Sequence, residues 1–187
     1  MWIRLWVIQD CDFETAAALI EKYLLRFYRL HVRPYWPHIE DFQMLIGVNR
    51  EDQGALWGTT QAAVRPCMFG YEAIGTGRAY ATALLSRLHN TGMSLNSASL
   101  LAIHVLSCVK EFVGGCGKDT HVIALSGLNV KMVDTTKVAE AERLLKRWFG
   151  MDSHLLDYVI SATGDTAGLI ANAKGLRKEL ADLDLLK

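Results

Sequence analysis

The chain has 187 residues, 51% of them hydrophobic, and 20 Lys and Arg balance 20 Asp and Glu for a formal net charge of zero. That length suits a domain with a sizeable core. Nothing in that balance points to a nucleic-acid surface or an electrostatic membrane patch, and neutrality combined with high apolar content favours association into an oligomer. No apolar run approaches the roughly 20 residues of a membrane span. Residues 1–8 carry Arg4, and Asp10 follows, so a signal peptide is not expected and a cytoplasmic protein is. The four cysteines, Cys11, Cys67, Cys108 and Cys116, lack metal-type pairing; separate reduced thiols and no metal are expected.

Residues 1–9 are β-prone, with Trp2, Trp6 and Val7. Asp12 is the predicted cap of a helix whose apolar positions run 13, 16, 20, 24 and 27 and which ends near Leu30, before Pro34 and Pro37. Phe42, Met44, Ile46 and Val48 alternate as in a strand, and Glu51-Asp52-Gln53-Gly54 reads as a hairpin turn. Residues 55–64 form the returning strand, Arg65-Pro66 breaks it, and residues 67–74 form a third strand. Helices are predicted over 77–88 and, capped by Ser94, along Ala98, Leu101, Val105, Cys108 and Phe112. Residues 120–126 and 129–133 read as a hairpin around Gly127-Leu128. Residues 136–149 are predicted helical, with Val138, Ala141, Leu145 and Trp148 in register, and 151–187 supply one or two more helices.

Gly75-Thr76-Gly77 sits between strand-like and helical sequence, where two glycines permit a sharp turn and Thr76 can cap the helix behind it. A phosphate site is the weaker reading, since a lone Gly-x-Gly has no third glycine. Around this turn the order of elements resembles the second half of a proteasome-type subunit, a member of the N-terminal nucleophile hydrolase superfamily. The likeness is carried by residues 41–48 (DFQMLIGV), by 73–86 (AIGTGRAYATALLS), similar to the family's small-residue helix after a Gly-Ser-Gly, and by 121–125 (HVIAL). It covers roughly residues 7–125.

The resemblance implies an α+β fold, two antiparallel sheets sandwiched between helical layers, αββα, N-terminally incomplete. The family domain would span 1–134, with 135–187 a helical C-terminal extension packing on it. By resemblance Thr76 takes the place of the Ser in the Gly-Ser-Gly, and Cys116 and Gly117 take the places of a Ser-Gly that helps organise the nucleophile. Val113 stands where active members carry an Asp. The family's nucleophile is the first residue of the mature chain, a Thr, Ser or Cys acting through its own amine. Met1 has only a thioether, so a chain lacking peptidase activity is expected. The resemblance also implies homo- or hetero-oligomers of ring type and no cofactor.

Two other readings remain: a non-catalytic assembly subunit, or an α+β domain binding a small ligand at Gly75-Thr76-Gly77. The histidines (His31, His38, His89, His104, His121, His154) form no His-Glu-x-x-His, and no Gly-x-Ser-x-Gly is present. His31 and His38 share a Pro-rich connection, and His104 is expected half-buried on its helix. For Cys116, between glycines and close to Lys118, a structural thiol is the first reading and a thiol activated by the neighbouring cation the second.

Overall fold

The computed structural model describes residues 12–35, 42–50, 53–127, 129–161 and 166–186. The expected N-terminal strand, His38 and Pro37 lie outside them, as does Cys11. These residues form an α+β fold with small antiparallel sheets. The chain divides into two compact units, 1–75 and 76–187.

In the first unit, α1 (Phe13–Phe27) starts where Asp12 accepts a hydrogen bond from Thr15 N at 2.7 Å. Glu14 in its first turn and Arg26 in its last suit the helix dipole. It does not stop near Leu30. The backbone widens into a π turn (Tyr28–Val32), in which Arg33 N reaches Tyr28 O, and then tightens into a 3₁₀ turn (Arg33–Tyr35). Pro34 explains the change, since it lacks the N–H an α-helix needs there and its ring crowds the carbonyl four residues back.

The sheet has the order β1 (Leu45–Arg50), β2 (Gln53–Thr60), β3 (Ala63–Pro66), all antiparallel. The register sets Arg50 opposite Gln53 and Thr60 opposite Ala63, so each connection is two residues long. The second turn, at Gln61-Ala62, comes before the expected break at Arg65-Pro66, and Gln61 takes a left-handed φ of 54° to make it. The third strand is therefore 63–66, not 67–74. Cys67 N still bonds Leu56 O at 2.8 Å, but Gly70, at φ 72°, then turns the chain away and leaves Met68 and Phe69 exposed. Pro66 ends β3, at the sheet edge where proline is tolerated. Trp57 is buried edge-on to Phe13, ring centres 6.2 Å apart. Glu21 of α1 accepts from Val64 N at 2.8 Å, so the helix occupies a donor on the β3 edge.

The second unit holds α2 (Arg78–Leu88), α3 (Leu95–Phe112), a hairpin of β4 (Ile123–Ser126) and β5 (Asn129–Met132), α4 (Thr135–Ser161) and α5 (Thr166–Asp182). Ser94 caps α3 by accepting from Ser97 N at 3.1 Å. The buried face of α3 is Ser99, Ile103, Val105, Ser107, Cys108 and Val109; the expected stripe kept Val105 and Cys108, while Phe112 is exposed against the Tyr80 ring. The core gathers Ile103, Val122, Val133, Val138, Ala141, Leu145 and Leu185. Residues after 134 thus share one core with residues 103–133, and the division between units falls at Gly75. Trp148 faces out of this core, 45% exposed. α4 runs through Gly150 to Ser161 without the expected stop there. Asn96 Oδ1 accepts from Leu185 N at 3.1 Å, and Lys137 Nζ donates to Asp184 O at 2.8 Å, so the last described residues are tied to both α3 and α4.

Candidate functional site

Gly77 is the N-cap of α2 and makes no side-chain cap bond; Thr76 is exposed outside the helix and does not cap it, contrary to expectation. Glycine is required at 77 by space. A Cβ there would lie 2.3 Å from Val109 Cγ1, so α2 and α3 approach as closely as a bare Cα allows. At Gly75 the requirement is conformational: φ is +86°, while nothing lies within 4 Å of the Cβ position.

The same crowding brings the loop after α3 to this place. Val113 leaves the helix with its N–H on Val109 O at 2.9 Å, and Cys116 N returns to Val113 O at 3.2 Å. Cys116, half-buried, then puts its Sγ 3.5 Å from the Cβ position of Gly77. Thr76 and Cys116, forty positions apart in the chain, therefore come to one end of α2. Gly117 is exposed, with open space around its Cα. Among the described residues neither the Thr76 hydroxyl nor the Cys116 thiol has a hydrogen-bond partner. The arrangement can hold a small polar group against a helix N-terminus, and among the described residues no hydrogen bond joins either group to a base. Val113, apolar, supplies no charge to it.

A second cluster, which no motif announces, lies at the other end of this loop. Lys110 Nζ donates to Thr120 Oγ1 at 2.5 Å and to Glu142 Oε1 at 2.8 Å; Thr120 Oγ1 donates to the same Oε1 at 2.5 Å. Thr120 is buried, and the Lys110 and Glu142 side chains are each 24% exposed. Burial pushes the Glu142 carboxyl up, but hydrogen bonds from Lys110 and Thr120, with the charges of Lys110 and Lys146, outweigh it and hold the group below its ordinary value. The cluster borders a depression of about 310 Å³ lined by Lys118, Thr120, His121, Thr135, Val138 and Glu142, among others. Lys110 is ion-paired and the Thr120 hydroxyl donates and accepts, so neither is a free base or nucleophile here. Members contributed by a helix end, a loop and a distant helix have no common spacing, which is why periodicity and motif searching pass over them.

The remaining candidates separate. Cys67 is half-buried; burial and the neighbouring Glu72 push its thiol up, against reactivity. Cys108 is buried with its Sγ 3.8 Å from His104 Nε2, one helical turn away. His31 is exposed in the π turn beside the Phe27 ring. Among the described residues no three His, Cys, Asp or Glu side chains gather as metal ligands, and no helix is long and apolar enough to cross a membrane. Compared with models of known protein families and with curated proteins, the chain matches none.

Proposed function

We propose that this chain is a proteasome-type subunit of the N-terminal nucleophile hydrolase superfamily that acts by assembly and does not by itself cleave peptides. In this reading its antiparallel sheets form the inner layers of an αββα sandwich, and it joins like or related subunits in a cytoplasmic ring. One observation carries the reading. Cys116 Sγ lies 3.5 Å from the Cβ position of Gly77, the N-cap of α2 and the chain neighbour of Thr76, so two positions that the resemblance assigns to the family's site stand at one helix end. Loss of catalysis follows from Val113, whose side chain cannot hold the charge that an Asp supplies there to a nucleophilic amine. Assembly is supported by apolar side chains left in water, among them Met68 at 88% and Phe69 at 69% exposure.

The test is a fluorogenic-peptide assay on the purified chain together with native mass spectrometry. No turnover above buffer, and closed oligomers of several subunits, are the expected results. Turnover that disappears in Thr76→Ala would refute the non-catalytic role. A monomer at all concentrations would refute the assembly role.

A further inference from the structure

We propose that the Lys110–Thr120–Glu142 cluster is a latch that holds the loop of residues 113–119 and thereby sets how open Cys116 is beside Gly77. The loop is pinned at its start by Val113 N on Val109 O and by Cys116 N on Val113 O. From Gly117 to Asp119 no hydrogen bond to the loop exists among the described residues. Lys118 is moreover held at φ 72°, a left-handed conformation that a lysine does not favour. Something must keep this stretch in place, and the first anchor after it is the Thr120 hydroxyl.

The partners of that hydroxyl suit the task. Lys110 sits on the last turn of α3, where the loop begins, and Glu142 comes from α4. Lys110 thus ties the exit of the loop to its entrance, ten residues earlier, and Glu142 braces both. A simple support of α3 on α4 would need only the Lys110–Glu142 ion pair, which closes at 2.8 Å without Thr120. The hydroxyl adds the loop to that pair. Thr120, Lys110 and Glu142 are therefore positioning residues acting through the backbone on Cys116. The inference bears on the site proposed above but does not need the family reading, because its readout is access to a thiol.

The experiment measures iodoacetamide labelling rates of Cys116 and Cys67 in the full chain by peptide mass spectrometry. Thr120→Val removes the hydroxyl and keeps the shape and the ion pair. Loss of two partly buried hydrogen bonds should raise Cys116 labelling about fivefold or more, with Cys67, in the other unit, unchanged. Thr120→Ser retains the hydroxyl and should stay within about twofold of the starting rate. An unchanged Cys116 rate in Thr120→Val overturns the proposal. So does an equal rise at Cys67, which would report unfolding of the whole chain. If Thr120→Val does not fold, Glu142→Gln takes its place; it keeps an acceptor but gives up the charge, and should raise Cys116 labelling about twofold or more, an unchanged rate again counting against the latch.

Discussion

Gly75 and Gly77 show two unrelated reasons for the same residue type. Gly77→Ala places a methyl 2.3 Å from Val109 Cγ1, and a β-branched side chain in a buried helix face has little room to yield. The cost expected is about 1–3 kcal/mol, read from the urea midpoint, and Gly77→Ala combined with Val109→Ala should recover part of it. Gly75→Ala meets no atom within 4 Å and should cost about 1–2 kcal/mol, through the left-handed backbone alone. Glu142 sets a pH dependence whose sign follows from its depressed carboxyl. Its stabilisation is complete above the unfolded glutamate pKa, about 4.3, and is lost as pH falls through the lower folded value. Denaturation midpoints taken across that acid range should fall more steeply for the natural chain than for Glu142→Gln. At this scale the sequence was legible where one residue decides the matter: Asp12 and Ser94 cap the helices they were expected to cap. It was not legible at Lys110, Thr120 and Glu142, because the cluster exists only after three elements have packed.

Among the elements, the helices were read more accurately than the strands. α2 and α3 begin within a residue or two of expectation, since the Gly75–Gly77 turn before α2 and the Ser94 cap of α3 are local signals. The hairpin turn at Gln61-Ala62 is not legible because neither residue is a customary turn former, and the sheet drives Gln61 to a positive φ that its type does not advertise. α4 continues through Gly150, where glycine lowers helix propensity by about 1 kcal/mol but does not override the rest of a 27-residue helix. The Glu21–Val64 bond carries a prediction of its own. Glu21→Ala leaves a strand-edge N–H without its acceptor and should cost about 1–3 kcal/mol. Glu21→Gln, which retains an oxygen, should cost less. Light scattering on the Ala variant should also show faster aggregation, as expected when an edge strand loses its cover.

At the scale of the whole molecule, the core of the second unit draws on residues far apart in the chain. Val138, Ala141 and Leu145 complete the same core as Ile103. Leu185, 1% exposed, belongs to that core from the far end of the chain. Leu185→Ala should cost about 2–5 kcal/mol, measured by chemical denaturation, and should bring down the packing around Ile103 with it. The link from Leu185 N to Asn96 spans 89 positions, so it has consequences for the order of events in the cell. A ribosome adds about 5–20 residues each second, and units of a chain fold as they are completed. The N-terminal unit can settle while synthesis continues, but the helices around Ile103 wait, with apolar surface uncovered, until Leu185 has emerged. That interval, some seconds long, is when chaperones have the most to hold.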